Sequence, residues 1–161
     1  MITNYLSTGG FDITIPRLPN VEFFSQKIVL PGVDSAPIER SGPLSTVFDT
    51  ADRLRYTDFD LSFIIDENMN NYLEIFNWMR GITAPESTSQ YKALAESEDG
   101  VTSDITVLIL NSHKNPNISV TFLNAFPVGL TPISLEMNNT DVTYAEGTVT
   151  FRYDRFNIQQ L

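Results

Sequence analysis

The stretch "GTVTFRYDRF" (residues 147–156) alternates residue by residue. Val149, Phe151 and Tyr153 point one way, while Thr148, Thr150, Arg152 and Asp154 point the other. That is the pattern of a β-strand with one dry and one wet face. Because it lies at the end of the chain, where a free segment would fray, a sheet or a neighbouring subunit is expected to hold it.

The same pattern recurs upstream. "FDITIP" alternates around Phe11, Ile13 and Ile15. "VEFFSQKIVLPG" reads as a strand whose alternation breaks at Phe23-Phe24, as a bulge would. The cleanest strand runs through "YTDFDLSFIID": Phe59, Leu61, Phe63 and Ile65 on one face, Tyr56, Asp58, Asp60 and Ser62 on the other. Further strands are expected at "ITVLILN", "NISVTFLNAFP" and "PISLEM". One helix interrupts them, "DENMNNYLEIFNWMRG", with Met69, Tyr72, Leu73, Phe76 and Met79 as its apolar stripe. Asp66 is its expected N-cap and Gly81 its expected C-terminus. The polar segment 82–104 reads as a long surface loop with a short helical turn at "YKALAES". Strands, a helix and more strands, without βαβ alternation, predict a largely antiparallel sheet.

The chain has 161 residues, 42% of them hydrophobic, which suits one domain (1–161) with a core of its own. No apolar run approaches the roughly 18 residues of a membrane helix, and "MITNYLSTGG" lacks the regions of a signal peptide. We therefore expect no membrane insertion by this chain and synthesis for a cytoplasm. With no cysteine and a single histidine, thiolate sites and multi-histidine metal sites are excluded. The formal charge of −10 should repel nucleic acid phosphates.

A search for chemistry comes back empty. His113 sits in the turn "NSHKNPN" without a nominated partner. Asp58 and Asp60 leave the same strand face, an arrangement that could serve as acid and base or hold a hard cation, but is also that of a plain wet face. "ESEDG" (Glu96, Glu98, Asp99) lacks calcium-loop spacing and reads as a solvated loop. Glycosylation sequons begin at Asn117 and Asn138, and without a signal peptide are read as chance. No phosphate-binding glycine loop or nucleophile elbow appears. No enzyme activity and no cofactor or metal is expected.

The segment 33–56, with "DSAPIERSGP" and "TADRLR", is too long for a tight hairpin. It is expected to project as an extended arm carrying Pro37, Glu39, Arg40, Asp52, Arg53 and Arg55.

Three stretches in order resemble the tail tube proteins of contractile-tailed bacteriophages, a family that extends to type VI secretion tubes. They are "IVLPGVDSAPIERSGP", "YTDFDLSFIIDENMNNYLEIFNWMRG" and "VTFLNAFPVGLTPISLEMNNTDVTYAEGTVTFRYDRF", and together they cover nearly the whole chain. The resemblance implies a mainly β fold: an antiparallel β-sandwich or rolled β-barrel with one flanking α-helix and a long extended loop. It implies homohexameric rings stacked into a tube, with DNA passing through unbound. Sheath, baseplate and tail terminator proteins are the implied partners, and a virion tail assembled in the host cytoplasm the implied location. On that footing Asp58 and Asp60 would line the channel. The arm would join subunits and rings, and Glu67, Asn71, Glu74 and Asn77 would face the sheath. Two alternatives stand beside it. One is a baseplate tube initiator or tail terminator of the same fold. The other is a β-sandwich receptor- or carbohydrate-binding module using Tyr5, Tyr91 or Tyr144 as an aromatic platform.

Overall fold

The computed structural model describes residues 5–6, 8–97, 100–137 and 143–161. The strands β1 (Phe11–Thr14), β2 (Ser25–Val29), β7 (Phe59–Ile64), β8 (Ser103–Leu110), β9 (Pro116–Leu130), β10 (Glu146–Arg152) and β11 (Arg155–Gln160) make one antiparallel sheet. Its order is β1-β8-β9-β10-β7-β2, with β11 beside the first half of β9. Four short strands, β3 (Val33–Ser35), β4 (Ile38–Ser41), β5 (Thr46–Asp49) and β6 (Leu54–Tyr56), form two ribbons outside it. Helices are α1 (Pro19–Phe23), α2 (Asn70–Thr83) and α3 (Thr88–Ala95).

The sheet rolls because β9 serves both halves. Its first half pairs with β8 and β11, and its second half with β10. The bend falls at Asn124, whose φ of 55° lies in the left-handed region that asparagine tolerates better than most residues. Asn124 N–H donates to Asp104 Oδ1 at 2.9 Å, and Asn124 Nδ2 donates to Asp154 Oδ2 at 2.7 Å. The roll brings alternate residues of both halves into one core, where Phe59 stacks between Phe122 and Phe151 with centroids 4.4 and 5.1 Å away.

The terminal stretch behaves as its alternation demands. Val149, Phe151 and Tyr153 are buried, while Thr148, Thr150, Arg152 and Asp154 are not. One strand is expected there and two are found, since β10 and β11 are separated by a bend opposite Asn124. Their register on β9 is nevertheless continuous, with Arg152 facing Phe126 and Arg155 facing Leu123. β10 is paired on both edges within its own chain, by β7 and β9, so its order needs no neighbouring subunit.

Several local expectations are corrected. Val21–Phe24 is no bulged strand: Pro19 opens α1, and β2 starts only at Ser25. Residues 131–137 form no strand; Pro132 cannot donate to a ladder, and Thr131 alone of them is bonded to β10, its N–H donating to Thr148 O and its Oγ1 accepting from Thr148 N–H. The segment after α2 holds α3, a two-turn helix, rather than a single turn. Helix α2 starts at Asn70 after a left-handed Met69 and continues through Gly81, so neither Asp66 nor Gly81 ends it.

The stripe of α2 is corrected too. Its buried line is Asn71, Ile75 and Trp78, with Tyr72, Met79 and Ile82 half-buried beside it. Met69, Leu73 and Phe76 lie opposite and are exposed. Both lines have three- and four-residue spacing, so periodicity alone cannot choose between them. The fold chooses through bonds made elsewhere in the chain, such as Trp78 Nε1 donating to Val101 O at 3.0 Å. Chemical denaturation should separate the two faces. Ile75→Ala is expected to cost about 2–5 kcal/mol, whereas Phe76→Ala, at a position 46% exposed, should cost less than about 1 kcal/mol.

Candidate functional site

The outward face of β7 and β10 carries a polar row. Register places Thr150 opposite Asp60 and Thr148 opposite Ser62. Thr150 Oγ1 donates to Asp60 Oδ1 at 2.6 Å, and the Ser62 and Thr148 hydroxyls lie 3.0 Å apart. At the end of the row Arg152 forms a two-pronged ion pair with Asp58, Nε to Oδ1 at 2.9 Å and Nη2 to Oδ2 at 3.0 Å. The hydrogen bonds to Asp58, then its charge, hold the Arg152 guanidinium above its ordinary pKa. The structure thus brings Asp58 and Asp60 to one face, and it adds a partner to each. Asp58 and Arg152 cancel, leaving Asp60 and, at the other end of the row, the exposed Glu146 opposite Ile64 as its carboxylates, with Lys27 of β2 beside Ser62.

Beneath it, Tyr153 OH donates to Thr57 O at 2.8 Å. Burial first, then the charge of Asp58, pushes its pKa up from 10 to about 12. Unfolding releases that restraint, so between pH 10 and about 12 the unfolded tyrosine loses its proton while the folded one keeps it.

The arm is a pair of β-ribbons rather than a loop. β3 pairs with β6 and β4 with β5, and Gly42 N–H donates to Ser45 O at 3.0 Å at the tip. A Cβ on Gly42 would meet Ser45 O at 2.5 Å, so this turn needs glycine. Pro37 links β3 to β4, Glu39 faces Phe48, and Arg55 faces Asp34. Arg40 pairs with Asp49 at 2.6 Å and Arg53 with Asp52 at 3.2 Å, all on exposed side chains. Exposed apolar residues crowd the arm, among them Ile38, Leu44, Val47, Phe48 and Leu54. Its packing on the barrel is at its root, where Tyr56 meets Phe156 at 5.6 Å and Tyr153 at 6.1 Å.

Glu67, ahead of α2, and Asn77 on it are exposed, and Glu74 is half-buried, accepting from Asn20 Nδ2. Asn71 is corrected: it is fully buried rather than outward. Its Nδ2 donates to Ile64 O at 2.7 Å, and its Oδ1 accepts from Asp66 N at 3.2 Å and Tyr72 N at 2.9 Å. It ties the end of β7 to the start of the helix. His113 is exposed in its turn, with its N–H donating to Asn111 Oδ1. Glu98, Asp99 and the sequon at Asn138 lie outside the described residues; Asn117 lies on β9. Tyr5, Tyr91 and Tyr144 are exposed on separate segments. Sequence reasoning missed the outer apolar line of α2, Met69, Leu73 and Phe76, whose signal was present but assigned to the core. It also missed Arg152 as the partner of Asp58, for which no local signal exists.

The model of the phage tail tube protein family matches residues 2–159. No curated protein matches the chain. Among solved structures, a chain of the anti-feeding prophage tube-terminating cap is 17% identical, covering 100% of this chain and 95% of its own, at a TM-score of 0.70. One from the anti-feeding prophage baseplate is 14% identical over 98% and 97%, at 0.67. One from the sheath-tube complex of the PVC extracellular contractile injection system is 15% identical over 98% and 93%, at 0.62. These likenesses extend to the mainly β, antiparallel fold.

Two predictions follow from the geometry. Asn71→Leu should destabilise the protein by about 1–3 kcal/mol, by orphaning the Ile64 carbonyl and the Asp66 N–H; denaturant titration measures it. As pH rises from 10 towards 12, stability should fall, and Tyr153→Phe should show a shallower fall in the same titration.

Proposed function

Because this chain belongs to the phage tail tube protein family, we propose that it is the structural subunit of a tube, assembled as six-membered rings that stack around a channel for DNA. The arm is the observation that carries this reading. A ribbon of exposed apolar side chains, packed on the barrel at its root, costs solvation in a lone chain and gains a partner in an assembly. The arm, through Pro37, Glu39, Arg40, Asp52, Arg53 and Arg55, then joins subunits and rings. The outer side of α2, with Glu67, Asn77 and the half-buried Glu74, is offered to a sheath; Asn71 has no part in that surface. The protein is a component of a tail particle assembled in the host cytoplasm, with baseplate and terminator proteins at its ends.

The β7–β10 row is assigned to the channel wall. Its chemistry supports passage without binding: hydroxyls, a neutralised Asp58–Arg152 pair, and the carboxylates of Asp60 and Glu146, repeated around each ring. Substituting Asp58 would also free Arg152, so Asp60 is the cleaner probe.

Electron microscopy of the purified protein should show stacked six-fold rings. Replacing β4 and β5 by a short Gly-Ser turn should leave a folded protein that no longer polymerises; long tubes from that variant would sink the stacking role. A monomer or trimer from the native chain would favour a binding module instead. Asp60→Lys should leave assembly intact and make tubes retain DNA in a salt-dependent manner. Retention unchanged from the native tube would remove Asp60 from the channel.

A further inference from the structure

The polar face of β7 and β10 continues onto β2, the last strand of the sheet path. Register sets Lys27 opposite Ser62, Ile28 opposite Leu61 and Val29 opposite Asp60. Directly opposed residues leave a sheet on the same side. Ile28 therefore follows the fully buried Leu61 and packs against the core, while Lys27 and Val29 share the outward side with the polar row. Three rungs cross this face in order. Lys27, Ser62 and Thr148 make the first, Val29, Asp60 and Thr150 the second, and the Asp58–Arg152 pair the third.

The two cations of the face are held differently. The Arg152 guanidinium commits both prongs to Asp58. Lys27 is exposed, and no ion pair among the described residues includes it. Beside it on its own rung stand hydroxyls, those of Ser62 and Thr148, which lie 3.0 Å apart. A lysine ammonium is a compact point charge with three donors on a flexible stem. It is the group on this face that is charged for a phosphate and not committed to a carboxylate.

Distance decides which carboxylate opposes it. Asp60 is the diagonal neighbour of Lys27, roughly 7–8 Å away between backbones. Glu146 lies two strands across and one rung along, roughly 12 Å by sheet spacing. At about 0.15 M salt the screening length is about 8 Å, so Asp60 acts at Lys27 and Glu146 is largely screened from it. One Asp60 oxygen already accepts from Thr150 Oγ1 at 2.6 Å, which holds the carboxylate in place.

We propose that Lys27 is the residue of the channel wall that contacts DNA phosphate, and that Asp60 is the counterweight that keeps the contact weak. This rests on the assignment of the β7–β10 row to the channel. Each subunit then offers passing DNA one ammonium, and each phosphate drawn to it meets the repulsion of a fixed carboxylate one diagonal step away. The contact guides DNA along the wall without holding it. A lysine on an edge strand also guards that edge against stray strand pairing, a role that has no effect on DNA.

The test uses tubes assembled from the purified chain. They are equilibrated with a short fluorescent DNA duplex or a neutral fluorescent dextran, and the amount of each that sediments with the tubes is measured against salt. Lys27→Gln should lower the DNA held severalfold at low salt. Asp60→Asn, which keeps an oxygen for Thr150, should raise it severalfold. Neither should change the dextran, and the differences should vanish at high salt. The gain from Asp60→Asn should shrink when Lys27 is also replaced by Gln. DNA unaffected by Lys27→Gln, or an equal gain from Asp60→Asn on either background, overturns the proposal.

The chain has no cysteine, so labelling locates the residue independently. In tubes of Lys27→Cys or Thr150→Cys, a small maleimide should react and a maleimide on a polymer too large for the channel should not. Thr150→Cys protected from the polymer while Lys27→Cys is labelled by it would overturn the Lys27 contact and leave the wall standing. Lys27→Cys closed even to the small reagent would do the same, by placing it between subunits. Labelling of both by the polymer would put the whole face outside, and the channel assignment would fall together with the proposal.

Discussion

The structure depends on one strand being shared by two halves of a rolled sheet. β9 is fifteen residues long, and a flat strand of that length could not keep both ends against one core. The left-handed Asn124 bends it, and the side chains of Asp104 and Asp154 hold the bend from the neighbouring strands. On either side of that corner Phe122 and Ala125 are both buried, so the interruption in alternation falls where the sheet turns. The stack of Phe59 on Phe122 then closes the roll, joining residues 63 positions apart in sequence into the core that α2 covers.

With the dry faces turned inward, the remaining surface is unevenly used. The wet face of β7 and β10 satisfies its own polar groups across the ladder and needs no partner. The arm, the outer line of α2 and the groove at the end of β7, with Leu135 and Tyr144 on its wall, do the opposite, exposing large apolar side chains that no described residue covers. The core is complete within one chain, whereas these three surfaces present the kind of exposed apolar area that contact surfaces carry.

Much of this was legible in the sequence. Alternation placed the faces of β7 and β10 correctly, because in a strand the direction of a side chain follows from its number alone. The turn residues of segment 33–56 announced a projecting arm for a similarly local reason: glycine and proline restrict the backbone wherever they occur. The antiparallel, mainly β class followed from the order of elements, and the family resemblance from the order of the stretches.

What only the tertiary structure decided was the choice between equivalent local patterns and the pairing of distant residues. Helix α2 has two apolar lines of the same period, and the side that faces the barrel is chosen by Ile75, Trp78 and the hydrogen bonds of Asn71, not by spacing. Asn71 itself reads as a surface amide until the end of β7 is laid against it. Asp58 reads as a free carboxylate until the sheet sets Arg152, 94 residues away, across from it. Periodicity is a property of one segment and reports only that a face exists. Which face is buried, and which charge is cancelled, depends on a second segment whose position the first does not encode.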